Sequence, residues 1–137
     1  MINIKVFLNK KYLNTYWADG LIISTPTGST GYSLSCGGPI VMPESNNFII
    51  TPIAPHNLNV RPLVISDNNT IQIDIIDRKT RKFLLSMDSR NEYIKNSASI
   101  IIKKAKHSIN LVEMELTDYS NTLREKLLWG LDRRNYD

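Results

Sequence analysis

A chain of 137 residues, 42% hydrophobic and 22% charged, is long enough for one domain with a core and too apolar to stay disordered. Its net charge of +4 is mixed, since 13 of the 17 basic residues and ten of the 13 acidic ones follow Ile71; no one-signed stripe for nucleic acid stands out. One cysteine, Cys36, excludes an internal disulfide, no apolar run approaches a membrane span and MINIKVFLNKKY carries no signal-peptide pattern, so the reading is cytoplasmic, with neither nucleic acid nor membrane as partner.

Ile2, Ile4 and Val6 alternate in INIKVFLN and predict a strand, which turns at Asn9-Lys10-Lys11 into YLNTYW to make a hairpin. Asp19-Gly20 is first a turn signal before a third strand, GLIIST; the sharper reading is a carboxylate aimed at an amide or hydroxyl. The stretch TPTGSTGYSLSCGG, Thr25 to Gly38, is too rich in small residues for a strand. It predicts a short helix at about 30–36, with Ser29 or Thr27 near its N-cap and glycine past its end. Gly28 and Gly31 admit a ligand close to the backbone, Tyr32 offers a ring or a hydroxyl, and free helix N–H groups suit a polar guest. A locally satisfied, capped turn stays open as the alternative. No lysine follows these glycines as a Walker A loop requires, and the G-x-S-x-G of a nucleophile elbow is absent. Cys36, with no base near it in sequence, reads as a small buried hydrophobe.

Further strands are predicted at NFIITPI, PLVIS, TIQIDII, KFLLSM, SIIIKKA and INLVEME, each rich in Ile and Val or Leu and bounded by turn residues. His56 lies in a proline-flanked loop, either hydrogen-bonded there or orienting it. Neither His56 nor His107 has metal-ligand spacing, so no protein-built metal site is expected. Asp88 is a turn former or a polar wall. In YSNTLREKLLWG, Leu123, Leu127 and Leu128 share a helical face, Thr122 and Glu125 match a capping box, and Gly130 is a natural stop, predicting a helix at about 120–129. The whole reads as one mainly β domain over 1–137, a layered β-sandwich-like fold with these two helices.

DGLIISTPTGSTGYSLSCGGPIVMP strongly resembles the NAD kinase family pattern D-G-L-I-x-x-T-P-T-G-S-T-[AG]-Y-[SN]-x-[SA]-x-G-G-P. TPIAPHNLNVRPLVI resembles its Pro-His-x-Leu-x-x-Arg-Pro segment, and DYSNTLREKLLWG its C-terminal helix. The resemblance implies a β-rich C-terminal domain of an enzyme that moves the γ-phosphate of ATP, with a divalent metal such as magnesium, to the 2′-hydroxyl of the adenosine ribose of NAD, giving NADP. It implies that Thr30, Gly31, Tyr32, Ser33, Leu34 and Ser35 line the NAD pocket with Thr27 beside them near the adenine. It implies that Asp19 reaches the nicotinamide end, in the family often across a subunit boundary, and that Ala54 is a further wall position. It also implies a homo-oligomer, a dimer or tetramer. The family's Gly-Gly-Asp-Gly loop, with the catalytic aspartate, has no counterpart here, so no catalytic residue is assigned. The chain by itself is expected to bind dinucleotide weakly or not at all and to lack kinase activity. Two departures stand out: Cys36 replaces the usual alanine, and Asp88-Ser89-Arg90 replaces Asp-Gly-Gln or Asp-Ser-Gln. A non-enzymatic nucleotide-binding or oligomerisation module is the alternative.

Overall fold

A computed structural model describes residues 1–76, 82–95, 97–110, 112 and 118–130. These fall into two compact units, 1–104 and 105–137. Among the described residues the first unit holds nine antiparallel strands. β1 (Ile2–Leu8), β2 (Lys11–Ala18), β6 (Ile71–Ile76) and β9 (Ser99–Ile102) form a four-stranded sheet in the order β2-β1-β6-β9. β3 (Gly20–Ser24), β4 (Asn47–Ile53) and β5 (Leu63–Ser66) form a second sheet, and β7 (Lys82–Met87) pairs with β8 (Arg90–Lys95) in a two-stranded one.

The period-two pattern places the core. Ile4 and Val6 of β1, Tyr16 of β2 and Ile71 and Ile73 of β6 point inward from the first sheet, and Phe48 and Ile50 of β4 meet them from the second. Two sheets with facing apolar sides are a sandwich, as the spacing of the short strands predicts. Asn9 and Lys10, with φ of 50° and 68°, make the two-residue turn between Leu8 and Lys11; positive φ at both positions is what a type I′ hairpin turn demands. Asn9 also ties the hairpin to the next strand, accepting from the Thr70 N–H at 2.9 Å and donating to Asn69 at 2.7 Å. Pro52 lies in the middle strand of its sheet, but β5 pairs only with Asn47 to Ile50, so its missing N–H breaks no bond on that side.

Several local expectations are corrected. The short helix expected at about 30–36 is present as a single α-turn, α1 (Tyr32–Ser35), with a 3₁₀ turn, Thr27–Thr30, before it. Neither has a side-chain cap: Pro26 and Gly31 occupy the capping positions that Ser29 and Thr27 were expected to fill. The glycine stop does follow, at Gly37 with φ of 81°. β8 had no forecast, because RNEYIK is mostly polar and exposed, and only pairing reveals it. Its turn is Asp88-Ser89, with Asp88 at φ 50°, so the turn-forming reading of Asp88 holds. In the second unit α2 spans Tyr119–Leu127. Its N-cap is Asp118, which accepts from the Ser120 N–H at 3.0 Å, four residues before the expected Thr122. Leu128, at φ 53°, ends the helix ahead of Gly130. The strand expected at INLVEME lies for the most part outside the described residues.

Candidate functional site

The loop from Thr25 to Gly38 leaves β3 and folds back onto the outward side of the β3–β4 pair. What brings it back is a buried hydroxyl pair, Ser33 Oγ and Thr51 Oγ1, 2.8 Å apart. Gly38 passes over that pair so closely that a Cβ there would stand 2.3 Å from Ser33 Oγ and 3.0 Å from Thr51 Oγ1. Glycine is required at this point by contact, not by torsion. Ser29, also fully buried, accepts from the Val41 N–H at 3.0 Å and returns its own proton toward the Val41 carbonyl at 3.3 Å.

The hydroxyls of the loop therefore divide. Those of Ser29 and Ser33 are consumed inside the protein. Thr30 donates to the Thr27 carbonyl at 3.4 Å, and Thr25 accepts from the Gly28 N–H at 3.4 Å. Thr27, Gly31, Tyr32 and Ser35 are exposed, Tyr32 at 63%, and Leu34 and Thr30 are half-buried. The Ser24 hydroxyl, one residue before the loop, is buried and has no hydrogen-bond partner among the described residues. Nothing in its strand-end position distinguished it in the sequence.

Asp19 and Ala54 form a second group at the other end of β3. The Asp19 N–H donates to the Ile53 carbonyl at 2.9 Å, which sets Asp19 beside Ala54 where β2 leaves one sheet and β3 enters the other. Ala54 is held at φ 44°, a left-handed conformation that its Cβ disfavours. The Asp19 carboxylate is exposed and lies 3.4 Å from the Met1 amino group. β3, five residues long, separates Asp19 from the start of the loop, but the Ser33–Thr51 contact brings the loop back over the middle of that strand, where Thr51 pairs with Ile22. The nine residues that the resemblance named thus come from two segments, the loop after β3 and the corner before it.

His56 follows Ala54 and Pro55, and its ring lies flat on the Trp17 indole with centroids 4.2 Å apart. Spacing along the chain gives no sign of that pair. Arg61 curls onto its own loop, donating to the carbonyls of Leu58 and Val60. Among the described residues no three His, Cys, Asp or Glu side chains gather as they must to cage a metal ion.

A β-sandwich whose loop edge offers hydroxyls, a phenol and exposed glycine backbone has the chemistry to hold a polar ligand. Its relatives share one family. The ATP-NAD kinase C-terminal domain model matches residues 1–114. NAD kinases are similar along almost the whole chain: that of Christiangramia forsetii is 58% identical over 135 residues, 98% of this chain, and that of Porphyromonas gingivalis 45% over 130 residues. Yeast NADH kinase complexed with NADH matches 99% of this chain at a TM-score of 0.88 and 28% identity. An Archaeoglobus fulgidus NAD kinase in complex with ATP matches 77% at 0.67 and 30%. The chain belongs to the ATP-NAD kinase C-terminal domain family. It spans about half the length of the curated relatives it matches, 46% of the first.

Proposed function

We propose that this chain is the dinucleotide-holding half of an NAD kinase. It binds NAD so that the γ-phosphate of ATP meets the 2′-hydroxyl of the adenosine ribose, and NADP results. Phosphoryl transfer depends on positioning and charge neutralisation more than on covalent help from the protein. A domain that presents hydroxyls and backbone groups suits the positioning share of that work. The observation that carries the reading is the match of this fold, over 99% of its length, to a kinase complexed with NADH.

In this reading Thr27, Thr30, Gly31, Tyr32, Leu34 and Ser35 face the adenosine part. Ser33, whose hydroxyl is taken by Thr51, contributes through its backbone. Asp19 and Ala54 serve the nicotinamide end. As the family resemblance implies, one pocket draws on Asp19 from a second copy, in a cytoplasmic dimer or tetramer. The outward face of the four-stranded sheet, with Tyr12, Trp17, Ile76 and Ile101 exposed, favours such self-association. The catalytic base comes from outside these 137 residues, which contain no Gly-Gly-Asp-Gly sequence. Among the described residues no three His, Cys, Asp or Glu side chains gather to hold a cation, so in this reading magnesium arrives with ATP.

Calorimetric titration with NAD tests the reading. Weak binding that disappears in Tyr32→Ala and in Asp19→Ala is expected. Binding untouched by both changes would point to a module with a different site. Purified alone, the 137 residues are expected to make no NADP from NAD and ATP; steady turnover would show that the catalytic base lies within them. Sedimentation at several concentrations checks the oligomer, and a monomer throughout would remove the shared pocket.

A further inference from the structure

The Trp17 and His56 rings lie face to face, centroids 4.2 Å apart and planes 7° from parallel. Trp17 is next to last in β2, on the four-stranded sheet, while His56 comes three residues after β4, on the other sheet. The stack therefore bridges the two sheets at the corner where the chain crosses between them. Two main-chain hydrogen bonds flank it: the His56 N–H donates to the Trp17 carbonyl at 2.8 Å, and the Asp19 N–H donates to the Ile53 carbonyl at 2.9 Å.

Ala54 and Pro55 lie between those two bonds on the β4 side. Ala54 is at φ 44°, and a residue ahead of proline prefers extended backbone, so this conformation runs against both its own Cβ and its neighbour. Pro55 brings no N–H to hold the turn. A short turn in a disfavoured conformation keeps its shape only when both ends are fixed. The Ile53 end is fixed by the β-ladder through Gly20. The His56 end has one backbone bond and the aromatic stack, with both rings partly in solvent.

We propose that the Trp17–His56 stack is a positioning clamp. It fixes Ala54 and Asp19 relative to each other, so that the dinucleotide meets a preformed wall; this rests on the dinucleotide reading above. Neither ring need touch the ligand: they act through the backbone of Ala54 and Asp19. Fixing a wall in advance raises affinity by removing an ordering cost at binding.

The test uses the full chain carrying His56→Ala, His56→Phe or Trp17→Ala, with amide exchange read by NMR in the absence of ligand. His56→Ala and Trp17→Ala are expected to speed exchange at the Asp19 and His56 amides by about threefold to tenfold, the scale of one aromatic pair. His56→Phe, which keeps a flat ring on the indole, is expected to restore it. The Ile50 amide, in the core, reports that the chain remains folded. Unchanged protection at Asp19 and His56 in His56→Ala would overturn the clamp. So would an equal loss at Ile50, which would make the stack a support of the whole domain rather than of one turn. NAD titrated into the same proteins is expected to bind about threefold to tenfold more weakly to His56→Ala and like wild type to His56→Phe. Failure of the wild-type chain to bind NAD would count against the dinucleotide reading alone, since the exchange result needs no ligand.

Discussion

Ser33 and Thr51 show how one residue pair decides what a hydroxyl is for. Both side chains are buried and each is the other's partner. Removing one leaves the other unpaired in an apolar setting, at about 1–3 kcal/mol, while removing both is far milder. Ser33→Ala is therefore expected to lower unfolding free energy by about 1–2 kcal/mol in urea titration. The double change Ser33→Ala with Thr51→Val is expected to cost less than the sum of the singles. Gly38→Ala pushes a methyl into the same pair and is expected to cost about 1–3 kcal/mol, the range for overpacking. Composition marks Thr25 to Gly38 as rich in hydroxyls, but not which are consumed internally. Ser29 and Ser33 sit in the same kind of sequence as Thr27 and Ser35, and only the return of the loop onto β4 separates them.

At the scale of elements, strands were legible and caps were not. Alternation in β1 and the Ile- and Val-rich runs of β4 and β6 follow from burial on a pleated surface, which leaves a period of two in the sequence. β8 left no such trace, since its residues are held by pairing with β7 and not by a core. Both helices lie where they were expected, but their caps differ: Pro26 and Gly31 stand at the starts in the loop, without a side-chain bond, and an acid displaces Thr122 in the C-terminal helix. In α2 that acid is Asp118; Asp118→Ala is expected to cost that helix about 1 kcal/mol, seen as lost helical circular dichroism on heating. The β1–β2 turn offers the opposite sign. Lys10 occupies a positive-φ position that glycine fills without strain, so Lys10→Gly is expected to raise stability by about 0.5–1 kcal/mol in the same denaturant assay.

For the whole molecule, the sandwich core carries a pH dependence. Tyr16 is buried between the sheets, and desolvation there pushes its phenol above the usual 10.0, partly offset by a hydrogen bond with the Asn14 side chain. Raising an acid's folded pKa means that the unfolded chain gives up its proton first as the solution becomes alkaline. The contribution of neutral Tyr16 is complete below about pH 10 and is lost as pH rises through the folded value. Thermal unfolding of the wild type is expected to fall more steeply above pH 10 than that of Tyr16→Phe, measured against each protein's own neutral midpoint. Equal slopes would mean that Tyr16 ionises in the folded state as freely as in the unfolded one.

Sequence alone determined the β class, most of the strands and, through long collinear motifs, the family. These are properties of local periodicity and of particular residue strings, and both are written along the chain. Tertiary structure decided what neighbours in space rather than in sequence. It put the named pocket residues on a loop and at a corner, and folded the loop back so that Ser33 meets Thr51, opposite Ile22 in the middle of β3. It turned Ser29 and Ser33 inward and left Thr27, Tyr32 and Ser35 outward. It laid His56 on Trp17, 39 positions apart, where two sheets meet at one corner. Burial and contact are set by the folded path of the backbone, and no residue carries them by itself.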